Sequence, residues 1–268
     1  MTDISPFQPK KETIQFCSLG SGSKGNGTLI SFADTMVLID CGFSVKETCR
    51  RLSLKGVVPE QISAILVTHE HADHIAGVSG FSNKYAIPVL VNKGTSLHAK
   101  CATIKNQTIF NSHHSFELGG FNVLPVAVPH DSREATQFVL TAGEQSIGLL
   151  TDVGHITRHI VDSYSNCDAL MLEFNYEHEA LMQGVYPISL KRRVSSDLGH
   201  LSNQQALELL DQIASPKLKT LVAMHMSEEN NSAQFINNKI DSIEGLAHVD
   251  YFIAEQLDGF DWQSLNLE

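Results

Sequence analysis

Short apolar runs rich in β-branched residues recur along the chain between turn signals, and such runs are typical of strands. Helix-period stretches lie between some of the runs, and two of them begin with capping-box sequences, Ser44-x-x-Glu47 and Ser202-x-x-Gln205. The first two runs and the middle four follow one another without a helix, which favours two mixed sheets that meet over one doubly wound parallel sheet. The order predicts an α/β fold of the α+β kind. The strand candidates are TIQFCSL, TLISF, MVLID, AILVT, PVLV, FNVLPVAV, TQFVLTA, SIGLL, ALMLEF, LKTLVAM and HVDYFI.

The domain organisation is predicted to be simple. No linker, repeat or low-complexity stretch divides the chain, so residues 1–268 are expected to form one domain, with 1–12 as a flexible N-terminal segment. A hydrophobic content of 42% is enough for a full core. No apolar run approaches the roughly 18 residues of a membrane span, and residues 1–12 lack the pattern of a secretory signal. These features predict a cytoplasmic protein without membrane partners.

The segment with the clearest chemistry follows the run AILVT. It reads His69-Glu70-His71-Ala72-Asp73-His74. Residues alternate sides in an extended chain, so His69, His71 and Asp73 are expected to point the same way, and His74 can fold back as the first residue of a helix. Four potential metal ligands therefore converge. The five cysteines are widely spaced and include no C-x-x-C pair, so a sulfur-ligated zinc site is not suggested.

A glycine-rich segment could be mistaken for a nucleotide site. Residues 20–25, GSGSKG, satisfy the dinucleotide fingerprint G-x-G-x-x-G and follow a strand candidate. The fingerprint requires a helix next, but the extended run TLISF follows instead. We therefore interpret the segment as a tight turn between strands and expect no nucleotide cofactor.

The sequence HEHADH resembles the H-x-H-x-D-H signature of the metallo-β-lactamase superfamily. The other motifs of that superfamily have counterparts in the expected order, each after a strand candidate: Pro129-His130-Asp131, Thr151-Asp152-Val153-Gly154 and His225. The resemblance implies a four-layer αββα sandwich of two mixed β-sheets flanked by helices.

Within the superfamily the chain is similar to the YycJ/WalJ family of nucleases. The matching segments are LGSGSKGN (19–26), THEHADH (68–74), VPHD (128–131), LEFNYE (172–177) and GHLSNQQA (199–206). Members of that family resemble ribonuclease Z and ribonuclease J in their cores and are regarded as 5′-to-3′ exonucleases acting on DNA. The chain departs from the family pattern in LEFNYE and in VAMHMSEENN, next to the ligand positions and not at them.

The resemblance implies a metal centre of two divalent ions. One ion would be held by His69, His71 and His130, the other by Asp73, His74 and His225, and Asp152 would bridge them. Imidazole and carboxylate ligands suit zinc and also accept manganese, so the identity of the metal stays open.

The implied reaction is hydrolysis of a phosphodiester by a hydroxide that bridges the metals. Asp73, His200 and Glu173 are the candidate catalytic residues: His200, by its similarity to a ribonuclease Z histidine, would protonate the leaving oxygen, and Glu173 would orient it. Asp40, at the end of MVLID, could orient a ligand histidine in the same way. Glu173 and Asp40 could equally be simple carboxylates at strand ends.

Substrate contacts are expected from a few positions, because a net charge of −11 repels nucleic acid elsewhere. The run Lys191-Arg192-Arg193 lies just before GHLSN and is a candidate for the nucleic-acid backbone, although such runs are usually solvated helix faces. Lys24 in the glycine turn and Ser202 are further candidates. DNA is favoured over RNA as the polymer.

Alternative functions use the same core. The main one is a hydrolase of a small thioester, lactone or cyclic phosphodiester. A non-catalytic binding module is disfavoured because every ligand position is filled. An enzyme of the ribonuclease J type is disfavoured because the 72 residues between Asp152 and His225 leave little room for its inserted domain. The oligomeric state stays open.

Overall fold

The computed structural model describes residues 6–10, 12–213, 215–240 and 244–265. Two seven-stranded sheets form its centre, in the orders β14-β1-β2-β3-β4-β5-β6 and β13-β12-β11-β10-β9-β8-β7. The strands are β1 (Gln15–Gly20), β2 (Gly27–Phe32), β3 (Thr35–Ile39), β4 (Ala64–Leu66), β5 (Val89–Asn92), β6 (Gln107–Phe110), β7 (Phe116–Leu118), β8 (Phe121–Ala127), β9 (Thr136–Ala142), β10 (Gln145–Leu150), β11 (Ala169–Glu173), β12 (Thr220–Met224), β13 (Asp250–Ile253) and β14 (Phe260–Ser264).

Both sheets are mixed. In the first, β14, β1, β2 and β3 pair antiparallel, and β3 to β6 pair parallel. In the second, β7 to β10 pair antiparallel, and β10 to β13 pair parallel. The prediction of two mixed sheets is therefore confirmed.

Helices cover the outer faces of both sheets. Among the described residues the α-helices are α1 (Val45–Leu54), α2 (Ala72–Ile75), α3 (Val78–Tyr85), α4 (Lys93–Ser96), α5 (Arg158–Tyr164), α6 (His178–Gln183), α7 (Ile188–Val194), α8 (Asn203–Ile213) and α9 (Ala233–Ile240). Short 3₁₀ turns lie at Pro59–Gln61, Cys101–Thr103 and Glu244–Leu246. Within the described residues, no helix is both long and apolar enough to reach across a lipid bilayer.

The core is divided into three layers of buried side chains. The central layer joins the inner faces of the two sheets through residues such as Phe16 and Phe138. One outer layer packs α1 and α3 against the first sheet, with Leu52 and Phe81 fully buried. The other packs α5 and α8 against the second sheet. This is the αββα sandwich expected from the sequence, and burial of these apolar surfaces from water is the main force that holds the layers together.

Every strand candidate from the sequence lies on a strand of the structure, but three strands have no counterpart among them: β6, β7 and β14. All three are at sheet edges, and most of their side chains are exposed or only partly buried. An edge strand with few buried residues lacks the apolar pattern on which the sequence prediction depends.

The N-terminal segment is partly described. The ring of Phe7 stacks on that of Trp262 with 3.8 Å between centroids, and the backbone N–H of Phe7 donates to the carbonyl of Gly56 at 2.9 Å. Residues 1–5 and 11 lie outside the described residues, so the flexibility expected for 1–12 stays a prediction.

Candidate metal centre

The histidine-rich segment leaves β4 and turns at once into a short helix. α2 begins at Ala72, and His71 is its N-cap residue with extended dihedral angles. His74 is therefore the third residue of the helix and not the first, as the sequence suggested, because the chain turns two residues earlier. The turn brings His74 back towards His69, and their ring centroids are 4.1 Å apart.

The loops that follow three other strands bring carboxylate and imidazole side chains to the same cluster. Asp40 follows β3, Asp152 lies two residues after β10, and His225 directly follows β12. All three have a positive φ, of 61°, 56° and 54° respectively. Residues other than glycine rarely adopt this conformation, and it is concentrated at functional sites, where the surrounding structure supports the strain.

The first ligand group consists of His69, His71 and His130, whose ligand atoms lie within 4.8 Å of one another. Nε2 of His130 is 3.2 Å from Nδ1 of His71. His69 and His130 are buried and His71 is partly exposed, so the group opens towards solvent on one side.

The second ligand group consists of Asp73, His74 and His225. Oδ2 of Asp73 is 3.4 Å from Nε2 of His74 and 3.9 Å from Nε2 of His225. Asp152 lies between the two groups, with one oxygen 3.4 Å from Nε2 of His74 and the other 3.9 Å from Nε2 of His130. The structure thus brings together all seven residues that the sequence nominated as ligands.

One ring nitrogen of each candidate ligand histidine contacts a neighbouring protein group, and the other nitrogen is left for the cluster. Such partners fix the tautomer and the orientation of a metal-binding imidazole. The pairs are His69 Nδ1 with Thr68 Oγ1 at 3.0 Å, His71 Nε2 with the carbonyl of Asp131 at 3.2 Å, His74 Nδ1 with Asp40 at 2.7 Å, His130 Nδ1 with the carbonyl of Gly199 at 2.9 Å, and His225 Nδ1 with Glu173 at 3.0 Å.

Three buried polar atoms of the cluster have no hydrogen-bond partner: Nε2 of His69, Oδ2 of Asp152 and Nε2 of His225. A buried polar atom without a partner is costly, and ligand atoms that converge without hydrogen bonds are what a bound cation would satisfy. The residues therefore fit a metal. Together with the fold, the His/Asp clusters suggest that the protein binds divalent metal.

The charges of the cluster favour a cation. Burial alone would raise the pKa of Asp73, but the neighbouring imidazoles of His74 and His225 hold it well below its usual range. Burial likewise opposes ionisation of Asp152, and the same imidazoles lower its pKa. Burial lowers the pKa of His69, and the neighbouring histidines lower it further. Burial opposes protonation of His74 and His225, but the neighbouring carboxylates, Asp152 first, raise the pKa of both imidazoles, so a bound cation would take the place of their protons.

Glu173 connects the cluster to His200. Its fully buried carboxylate accepts from Nδ1 of His200 at 2.7 Å and from Nδ1 of His225 at 3.0 Å through one oxygen. The other oxygen accepts from the backbone N–H groups of Val153 at 3.2 Å and Leu201 at 3.0 Å. Burial would raise the pKa of Glu173, but the two histidines hold it well below its usual range. An ionised Glu173 therefore orients both imidazoles.

Comparison with known proteins places this site in a family. A family model described as "Beta-lactamase superfamily domain" matches residues 35–226. Exodeoxyribonuclease WalJ of Streptococcus pneumoniae (serotype 2, strain D39) is 31% identical over 224 residues, which cover 81% of this chain and 83% of that protein. The chain belongs to the beta-lactamase superfamily, in the family of WalJ and YycJ.

Further relatives agree with this assignment. Exodeoxyribonuclease YycJ of Bacillus anthracis is 29% identical over 234 residues, 86% of this chain and 89% of that protein. Among solved structures, the metallo-beta-lactamase fold protein YhfI of Bacillus subtilis superposes with a TM-score of 0.70 at 16% identity, over 94% of this chain and all of that one. The family and these relatives support the assignment of the chain as a metal-dependent hydrolase.

The WalJ/YycJ-like site has a cavity at its mouth of about 270 Å³. Its lining includes His200, His225, Arg193, Tyr186, Leu190 and Asn230. Arg193 is paired with Asp131, at 2.5 Å between Nε and Oδ2 and 3.3 Å between the second nitrogen and oxygen. This pair places a guanidinium at the edge of the ligand cluster.

The other basic residues nominated from the sequence are placed differently. Lys191 donates to the carbonyl of Met182 at 2.6 Å, and the side chain of Arg192 is exposed on the same helix. Lys24 forms an exposed ion pair with Glu228 at 2.6 Å, and Glu228 also lines the cavity. Of the three consecutive basic residues, Arg193 is the one that lines the cavity.

Ser202 is engaged as a helix cap. Its hydroxyl accepts from the N–H of Gln205 at 3.2 Å, and the Gln205 side chain accepts from the N–H of Ser202 at 2.9 Å. This is the complete capping box of α8 that the sequence indicated. The structure does not bring Ser202 into the ligand cluster, and its suggested role in substrate binding stays a prediction.

Replacing Ser202 with alanine separates the two roles. A helix cap is worth about 0.5–2 kcal/mol, so Ser202→Ala is expected to lower the midpoint of thermal unfolding by a few degrees. The Michaelis constant for DNA should stay unchanged if the hydroxyl acts only as a cap. Calorimetry and steady-state kinetics measure the two effects. A raised Michaelis constant with an unchanged midpoint would instead support the substrate role.

Two residues near the ligands were not singled out from the sequence. Nδ2 of Asn26 lies 3.1 Å from Asp73 Oδ2 and 3.0 Å from His74 Nε2. The hydroxyl of Thr68 donates to the carboxylate of Asp40 at 2.8 Å and lies 3.0 Å from Nδ1 of His69. Asn26 lies in the motif LGSGSKGN and Thr68 in the motif THEHADH, so their positions in these motifs are the sequence signal that could have identified them.

Proposed function

We propose that the protein is a dinuclear metal-dependent phosphodiesterase that degrades DNA from 5′ ends. The observation that carries the proposal is the pair of candidate ligand groups on either side of Asp152, with unpartnered buried polar atoms in both. The polymer is supported by relatives named exodeoxyribonucleases, which match more than four-fifths of the chain, and the 5′ direction is what the family resemblance implies. Nucleic acid, with DNA favoured, is therefore the substrate partner.

The first ion would be held by His69, His71 and His130, and the second by the other group, with Asp152 shared. When bound, two divalent ions would activate water and neutralise the charge of the scissile phosphate. Nitrogen and oxygen ligands without thiolate accept zinc or manganese. Thr68, Asp40 and Glu173 keep the ligand histidines in the orientation that leaves one nitrogen free.

His200 is the proposed general acid. Its Nδ1–H is held by Glu173, so Nε2 is the nitrogen available to a substrate in the cavity. The proton of Nε2 would pass to the 3′-oxygen of the departing nucleotide as its bond to phosphorus breaks, and the ionised Glu173 stabilises the protonated imidazole before transfer. Glu173 is thus a positioning residue.

Arg193 is the proposed phosphate contact. Its pairing with Asp131 fixes the guanidinium at the edge of the cavity, and a guanidinium has more donors than one carboxylate uses. The remaining donors can meet a phosphate oxygen. The contact would be local, as the acidic net charge of −11 requires.

Labelled substrates test the proposal directly. The metal-loaded protein should release mononucleotides or short products from 5′-labelled DNA, single-stranded and duplex, with manganese and zinc compared. A chelator should abolish the release, and added metal should restore it, since the ligands have no other means to activate water. DNA and RNA of the same sequence serve as the paired comparison. Label released only from 3′ ends, or hydrolysis of a thioester but no polymer, would contradict the exonuclease proposal.

A further inference from the structure

Exposed apolar side chains lie close in the chain to residues that line the cavity of the metal centre. Val185 is 85% exposed and Ile188 69%, the highest values among the large apolar side chains of the described residues, and Met182 is 41% exposed. Met182 lies in the last turn of α6, Val185 in the connecting loop and Ile188 at the first position of α7, and the three together are called the apolar rim. Exposed apolar groups of this kind, next to polar surroundings, are typical of a binding surface.

The helix that carries part of the rim lacks a packed face. None of the seven residues of α7, all of them described, is buried. Short helices in proteins normally derive their stability from a face packed against other elements. α7 is tied to the protein through Lys191, which contacts the carbonyl of Met182, and through Arg193 on Asp131. Ile188 is thus exposed to solvent on a helix that these two contacts hold in place.

Neighbours of the rim in the chain line the cavity. Tyr186 and Leu190 belong to the same stretch of chain and line the cavity beside His200 and His225. A molecule whose phosphodiester lies at those histidines would therefore extend over Tyr186 towards Val185 and Ile188. The rim would therefore contact the part of the substrate that is next to the scissile phosphodiester.

The charges beside the rim indicate the occupant. Lys191 and Arg192 follow Ile188 on the same helix, in a chain with 30 acidic and 19 basic residues. Apolar and aromatic surface for bases next to cations for phosphates is the combination with which proteins bind single-stranded nucleic acid.

We propose that the apolar rim binds the unstacked nucleobases at the end of the DNA, next to the phosphodiester held at the metal centre. Aliphatic side chains that enter between bases unstack them, which would free a duplex end for cleavage. The inference rests on the proposed function, because it names the part of the DNA that this site receives. It assigns Met182, Val185 and Ile188 to substrate binding, a role distinct from catalysis.

A double substitution, Val185→Ser with Ile188→Ser, tests the rim. The matched control is Leu97→Ser with Ile109→Ser, two side chains that are 61% and 49% exposed in other parts of the chain. Loss of the apolar contacts should raise the Michaelis constant for 5′-labelled DNA by about 10-fold, with the turnover number nearly unchanged. Hydrolysis of bis-p-nitrophenyl phosphate, which carries no bases, should equal that of the wild type, and the control should match the wild type on both substrates.

The outcomes separate the rim from the function. Wild-type protein that digests DNA, with a double variant of equal Michaelis constant, would overturn the rim and leave the exonuclease standing. Wild-type protein that digests no DNA would overturn the exonuclease itself. Equal losses on both substrates would show that the substitutions disturb the metal centre, and a dimer that the double variant converts to a monomer would assign the rim to a second copy. Either result would overturn the proposal.

Discussion

Replacing Asp152 with alanine is expected to weaken both bound ions and to lower turnover by more than about 100-fold, because even partners that only support a ligand are worth about 10- to 100-fold. Asp152 is the carboxylate placed between the two groups, 3.4 Å from His74 and 3.9 Å from His130. In the proposed dinuclear centre, its removal would take one ligand from each ion at once. Elemental analysis of the purified variant and turnover of bis-p-nitrophenyl phosphate measure the two losses.

Two companion variants make this result specific. The backbone of Asp152 has a positive φ of 56°, which asparagine accepts better than alanine, so Asp152→Asn removes the charge with less strain. Asp168 is a matched control: it is a partly buried aspartate just before β11 that accepts from the backbone N–H of Ser146 at 2.8 Å, outside the candidate ligand groups. Asp168→Asn should keep both metals and its activity. Two ions and normal turnover in both Asp152 variants would rule out a shared carboxylate.

The order of strands was predictable because their apolar runs are buried. β10, β11 and β12 are buried along nearly their whole length, so each stands out as a continuous apolar run. The edge strands β6, β7 and β14 bury few side chains, and nothing in their residues separates them from loops. The apolar pattern of a strand reflects the burial of its side chains. An edge strand can pair through its backbone while burying few side chains, so its sequence shows little of this pattern.

The candidate ligands could be nominated from the sequence because each lies in a recognisable motif that follows a strand. Their partners were accessible only in part. Asp40 and Glu173 could be nominated as carboxylates at strand ends, but which histidine each one holds depends on the meeting of separate strands. The carbonyl of Gly199, which orients His130, carries no sequence signal at all, since every residue has one.

The basic run Lys191-Arg192-Arg193 shows that the sequence is limited in the same way for the candidate substrate contacts. Three consecutive residues of a helix point in different directions, so a charge run alone does not indicate which member enters a site. The structure places Arg193 in the cavity, Lys191 on a carbonyl and Arg192 in solvent. For Ser202 the sequence suggested two roles, a helix cap and a substrate contact. The structure shows the hydrogen bonds of the helix cap.

Replacing His200 with alanine should separate acid catalysis from metal binding. If His200 protonates the leaving oxygen, the variant should keep two bound metals and near-normal affinity for DNA but lose about 10²- to 10⁴-fold in rate. The remaining contacts of Glu173, with His225 and with the backbone of Val153 and Leu201, do not involve His200, so the carboxylate should keep its place.

The leaving group supplies the decisive comparison, because a phenolate departs without a proton whereas a nucleotide 3′-oxygen needs one. The rate of His200→Ala should therefore approach that of the wild type on bis-p-nitrophenyl phosphate and stay low on DNA. His225→Ala, which removes a proposed ligand, should lose metal and be slow on both substrates. Metal lost from His200→Ala, or equal impairment on both substrates, would make His200 a ligand or a phosphate contact. Since its Nδ1 already belongs to Glu173, that result would leave the protonation of the leaving oxygen to water.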